Sequence, residues 1–131
     1  MRILSLLLAF LITGMPPRFE VPVEDHRVVQ LNGNCSGFVA APGYVFTAAH
    51  CIEDASAIQE VRFWDGMYAK FEVADVGTPD HRDWAILRGD TRGIEPPEFY
   101  LGYPEDGTKC ISIGHGGGQA RQAGALCEVR P

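Results

Sequence analysis

The chain has 131 residues, a length that suits one domain, and its 46% apolar and 21% charged residues exclude an intrinsically disordered protein. Net charge is −6, with 17 acidic residues against 11 basic ones and no Lys/Arg run, which excludes the clustered positive surface that a nucleic-acid backbone requires. Its 15 glycines and 9 prolines favour a turn-rich, all-β chain over a helical one.

Residues 1–14, MRILSLLLAFLITG, place one charge ahead of an apolar run from Ile3 to Ile12. That run is too short to span a bilayer, which takes about 20 residues, and it suits the core of a secretory signal. There is no Ala-x-Ala, so cutting after Gly14 is the best fit. The alternative is a buried N-terminal element of a cytosolic protein. Pro16 and Pro17 mark the border with the folded part.

From there the predicted elements are strands. Val28–Leu31 runs into Asn32-Gly33-Asn34, a hairpin turn, and Cys35–Ala40 returns. Pro42-Gly43 turns the chain into Tyr44–Ala48. Residues 50–57 read as one helical turn, with Glu53 and Asp54 near its start. Glu60–Trp64 alternates like a half-buried strand, Asp65-Gly66 turns, and Tyr68–Val76 returns. The loop from Gly77 to Arg82 leads to an apolar strand, Trp84–Leu87. Six short strands with regular turn signals predict a small antiparallel barrel. Residues 89–99, GDTRGIEPPEF, read as a linker. Lys109–Ile113, a glycine-rich loop from Gly114 to Gly118, and Gly124–Val129 begin a second β unit, and two strands are too few to stand alone.

Four cysteines, Cys35, Cys51, Cys110 and Cys127, are an even number in a chain with a secretory leader, which favours disulfides. Three connectivities are possible; 35–51 with 110–127 closes two short loops and is the simplest. A zinc site is disfavoured, because no C-x2-C pair occurs and His50 directly precedes Cys51, so the two would struggle to face one metal.

The chemistry-bearing motifs are Thr47-Ala48-Ala49-His50-Cys51 and Asp83-Trp84-Ala85-Ile86-Leu87. Acyl transfer by a serine needs a base to take its proton and a shielded carboxylate to hold that base in one tautomer. A histidine at a strand end suits the first role, and an aspartate opening an apolar strand suits the second.

The segment CSGFVAAPGYVFTAAHC, followed by DWAIL, resembles the trypsin-like serine peptidases. VRFWDGMYAKFEVADVGTPDHRDWAIL is similar to the hairpin and loop of compact members, and YLGYPEDGTKCISIGHGGG to the start of the second barrel. The resemblance implies an antiparallel six-stranded Greek-key barrel over residues 20–92. Over residues 93–131 it implies a linker and the beginning of a second, incomplete barrel. It implies His50 as general base and then acid, Asp83 as its orienting group, a Cys35–Cys51 disulfide, a polypeptide substrate, and neither cofactor nor metal. A secreted or periplasmic location, with no membrane association of the mature form, goes with the leader.

One part of the family pattern is absent. The nucleophile motif G-[DN]-S-[GA]-G does not occur, and Ser5, Ser36, Ser56 and Ser112 all lie elsewhere. Two functions follow as expectations. One is a serine endopeptidase whose serine comes from a missing C-terminal segment or a second chain. The other is an inactive pseudopeptidase or binding module on the same barrel. Either way the chain alone is expected to be inactive, and its open second unit to make it poorly soluble or oligomeric. His26 reads as a surface residue, His81 as a loop residue that could line the cleft, His115 as a turn residue, and Trp64 and Trp84 as packing.

Overall fold

The computed structural model describes residues 20–22, 24–78, 82–99, 101–115 and 122–130. Among the described residues nine strands form in chain order: β1 (Glu20–Pro22), β2 (Val28–Leu31), β3 (Cys35–Ala41), β4 (Tyr44–Thr47), β5 (Gln59–Arg62), β6 (Tyr68–Val76), β7 (Ala85–Arg88), β8 (Lys109–Gly114) and β9 (Ala123–Glu128). β2 to β7 close into an antiparallel barrel in the order β2-β3-β4-β7-β6-β5. β5 returns beside β2 after the β2-β3-β4 meander, so the spatial order of the first four barrel strands is the Greek key.

Strand alternation explains the closure. In β4, Val45 and Thr47 point inward while Tyr44 and Phe46 face out; in β7, Ala85 and Leu87 point inward. The interior is filled by Val29, Leu31, Val39, Val45, Val61, Phe71 and Leu87, all fully buried, with Phe63 and Cys51 packed beside them. These are mostly β-branched or compact side chains of a size that suits a small barrel interior. Two glycines make room. A Cβ at Gly89 would lie 2.7 Å from the Phe71 ring, and one at Gly37 would lie 2.8 Å from the Phe46 carbonyl oxygen. The β2–β3 turn places Asn32 and Gly33 at positive φ, 50° and 79°, the geometry that the Asn-Gly pair adopts readily. The Asn32 side chain then donates to Gln59 Oε1 at 2.8 Å and accepts from the Glu60 N–H at 3.0 Å, tying this turn to β5.

The remaining strands form a second, open sheet in the order β1-β9-β8. Gln122 fastens it to the barrel. This buried amide accepts from the Asp25 N–H at 2.8 Å and donates to the carbonyls of Asp25 and Val28. A second tie runs from the His115 N–H to Ser36 Oγ, 2.7 Å. The sheet leaves apolar surface uncovered: Ile111 and Leu126 stand opposite each other and are 60% and 71% exposed. Among the described residues no helix is long and apolar enough to cross a membrane.

Six barrel strands and the two later ones form where the residue pattern places them, with ends shifted by a residue or two. Three local readings change. β1 has no sequence signature, since three residues carry no period and only the pairing with β9 makes them a strand. The helical turn read over 50–57 contracts to a 3-10 turn, Ala49–Cys51. Asp54 turns its carboxylate onto the N–H and hydroxyl of Ser56 instead of starting a helix. His115, read as a turn residue, directly follows β8 and is buried. The leader, and with it the proposed border at Pro16 and Pro17, lies outside the described residues.

The Phe71 ring fills the barrel centre and packs against Phe63. Phe71→Ala is expected to cost about 3–5 kcal/mol, a large fraction of a small domain's stability. Urea denaturation of the two chains should show this as a lowered midpoint at similar slope.

Candidate active site

β4 ends at Thr47, whose hydroxyl donates to the Ser36 carbonyl on the neighbouring strand at 2.8 Å. The chain stays extended through Ala48 and then winds into the Ala49–Cys51 turn, closed by Cys51 N–H to Ala48 O and Ile52 N–H to Ala49 O. Cys51 is buried and bonded to Cys35 at the start of β3, with their Cα atoms 6.0 Å apart. His50 is therefore held on a short turn fixed at both sides. Thr47 pairs with Ala85 in the β4–β7 ladder, so Asp83, just ahead of β7, arrives at the same end of the barrel as His50.

Both carboxylate oxygens of Asp83 go to that one residue. Oδ2 lies 2.6 Å from His50 Nδ1, and Oδ1 accepts the His50 backbone N–H at 2.9 Å. The first bond orients the ring; the second fixes the carboxylate relative to the backbone that carries the ring. The His50 N–H, with the ring contact next, holds the Asp83 carboxyl below its ordinary value. At neutral pH the carboxylate is ionised and can only accept, so Nδ1 is the nitrogen that donates to it, and in the neutral form of the ring Nε2 keeps the lone pair. The expected shielding of this carboxylate is incomplete among the described residues: the side chains of His50 and Asp83 are 64% and 40% exposed.

A cavity of about 380 Å³ opens beside the imidazole, lined by Asn34, Cys35, His50, Cys51 and Glu53 among others. On the other side a shallow apolar groove runs between Phe38, Phe46, Asp83 and Ile113. Cys110 and Cys127 face each other across β8 and β9 and are disulfide-bonded. Sequence adjacency does not keep His50 and Cys51 apart in space. A ring nitrogen of His50 and the sulfurs of Cys35 and Cys51 lie within 4.8 Å of one another, although the disulfide occupies both sulfurs.

The other singled-out residues lie elsewhere. His26 stacks on Trp64 with ring centroids 3.7 Å apart, at the barrel end opposite His50. His81 and the glycines at 116–118 fall outside the described residues, as does Ser5. Ser36 accepts from His115, Ser56 donates to Asp54, and Ser112 sits in β8. Among the described residues no serine hydroxyl bonds the His50 ring. The supports that sequence reasoning missed are the Thr47 hydroxyl and the His50 backbone N–H, whose roles depend on pairing between distant segments.

The family described as the trypsin-like peptidase domain matches residues 35–131, and the chain belongs to that family. No curated protein matches the chain. Among solved structures it is similar to the serine endoprotease from Yersinia pestis, with a TM-score of 0.69 and 21% sequence identity. That match covers 81% of this chain and 41% of the Yersinia pestis chain, so the shared barrel is the finding and the present sequence spans less than half of that structure.

A carboxyl whose folded-state pKa is depressed stabilises the fold above its ordinary value near 3.8, and that contribution is lost as pH falls through the lowered value. An NMR titration of the Asp83 carboxyl carbon should therefore give a midpoint below the ordinary one. In His50→Ala the midpoint should rise only part of the way back, because the backbone N–H of residue 50 still donates.

Proposed function

We propose that this chain carries the base and its orienting acid for a serine-type endopeptidase site, with polypeptide as substrate and the nucleophilic serine supplied from outside residues 1–131. The observation that carries the reading is the double attachment of Asp83 to His50. It turns Nδ1 to the carboxylate, so that in the neutral ring the Nε2 lone pair is directed away from it. In the proposed cycle Nε2 takes the proton of an incoming serine hydroxyl as that oxygen attacks the peptide carbonyl. Asp83 stabilises the imidazolium, which returns the proton to the leaving amine.

The domain division goes with this reading. Residues 20–92 would comprise the first barrel, and residues 93–131 a linker and the beginning of a second one. β8 is the outer strand of an open sheet, and the facing Ile111–Leu126 pair is exposed, which suits a surface completed by further strands. Two disulfides are compatible with a secreted or periplasmic protein. We propose that residues 1–14 direct export and are removed after Gly14.

A serine-directed fluorophosphonate tests the assignment. The isolated chain is expected to stay unlabelled. The assembled protein, captured from its source through this chain, is expected to label on a serine outside residues 1–131. Asp83→Asn should slow that labelling by about 10⁴-fold, by analogy with triads whose histidine is left in the wrong tautomer. Labelling of Ser36, Ser56 or Ser112 that disappears in His50→Ala would place the nucleophile inside the chain. No labelled species in the assembled protein would favour an inactive binding module.

A further inference from the structure

The barrel has a core of its own, and the second sheet does not. Of the residues in β8 and β9 only Gly124 is buried, and a glycine brings no side chain to a core. Ile111 and Leu126 stand opposite each other and exposed. A strand pair without a buried apolar face is marginal in water. The ladder therefore leans on the Cys110–Cys127 disulfide, which joins directly opposite residues of β8 and β9 across a sequence separation of 17. We propose that Cys110–Cys127 is a redox-sensitive latch. Its reduction by a small dithiol releases β8 and β9 from each other and from the barrel, while the barrel keeps its fold and its own disulfide.

The two disulfides differ in what remains after the bond is cut. Access does not separate them: Cys110 and Cys127 are half-buried between exposed neighbours, and a cavity borders Cys35 and Cys51. In the barrel, Cys51 belongs to the core and Cys35 packs against it. Cys35 pairs with Leu31, the Cys51 N–H donates to Ala48 O, and the Thr47 hydroxyl on the Ser36 carbonyl ties the two sides together. None of these bonds requires the disulfide, so the freed thiols stay at close range and re-form it. Cys110 and Cys127 are held opposite each other by the ladder that their own bond supports. Once that ladder opens, their effective concentration falls and the reduced state persists.

In the exchange, a thiolate of the dithiol attacks one cysteine sulfur, the S–S bond breaks, and the other sulfur leaves and takes a proton. The second thiol of the reagent then displaces the first cysteine. The reagent ends as its cyclic disulfide and both cysteines as thiols. The latch holds three contacts with the barrel. Gln122, next to β9, bonds Asp25 and Val28; His115, next to β8, donates to Ser36 Oγ; and Ile113 of β8 walls the groove that Asp83 borders. Opening the latch withdraws all three. A consequence for catalysis rests on the reading of His50 and Asp83 as a peptidase pair; the latch itself does not.

Graded reduction tests it. The oxidised chain is equilibrated in dithiothreitol redox buffers, quenched with acid, alkylated and digested for mass spectrometry. Cys110 and Cys127 should become alkylated at a reductant-to-oxidant ratio about tenfold or more below that needed for Cys35 and Cys51. Hydrogen–deuterium exchange of the singly reduced chain should show protection lost in β8 and β9 and kept in β4 and β7. Cys110→Ser with Cys127→Ser should reproduce that pattern without reductant, whereas Cys35→Ser with Cys51→Ser should leave β8 and β9 protected. Reduction of Cys35–Cys51 first would overturn the proposal. So would unchanged protection of β8 and β9 once Cys110–Cys127 is cut, or protection lost throughout the barrel. Neither readout uses peptidase activity, so failure of the latch and failure of the peptidase reading are told apart.

Discussion

Asp83 engages His50 twice, and the rest of the site takes its meaning from that double contact. A single bond to Nδ1 would leave the ring free to swing with its own side-chain torsions. The second bond, to the backbone N–H of the same residue, fixes the carboxylate to the turn that carries the ring. Ring, carboxylate and backbone are therefore tied together, and the carboxylate's charge makes Nδ1 the nitrogen that donates. This is an electrostatic assignment of roles, made by two donors converging on one anion rather than by burial.

The barrel exists, for the purposes of this site, to bring two segments to one end. β4 and β7 are neighbours in the closed barrel although far apart in sequence, and their antiparallel ladder sets Thr47 against Ala85. His50 leaves the end of one strand and Asp83 precedes the start of the other. The buried residues Val45 and Leu87, paired across the same ladder, hold that register, because a slip of one residue would turn the apolar side chains outward. Cys35–Cys51 and the Thr47 hydroxyl brace the same corner against β3. Core packing and the geometry of the His50–Asp83 pair are thus one constraint seen from two sides.

Much of this was legible in the residues. Tyr44–Ala48 and Tyr68–Val76 read as strands, alternation marked Glu60–Trp64 as another, Asn32-Gly33-Asn34 read as a turn, and the two motifs around His50 and Asp83 marked the site. What was not legible is what depends on distant pairing. β1 becomes a strand only beside β9, and Gln122 matters only because Asp25 and Val28 come within its reach. The closeness of the His50 ring to the Cys35–Cys51 sulfurs is likewise not visible in the motif, since it depends on the turn and the disulfide. The incomplete shielding of Asp83 also could not be foreseen, since a motif names a carboxylate without showing what covers it.

The sheet of β1, β9 and β8 leaves Ile111 and Leu126 exposed, while the His50 ring is already oriented by Asp83. That orientation is the central claim, and imidazole ¹⁵N NMR of the oxidised chain, at a pH alkaline enough to keep the ring neutral, reads it directly. The His50 Nδ1 should carry the hydrogen and Nε2 should resonate as a lone-pair nitrogen, a preference that weakens in Asp83→Asn. A His50 ring with its hydrogen on Nε2, or with no tautomeric preference that Asp83→Asn alters, would contradict it.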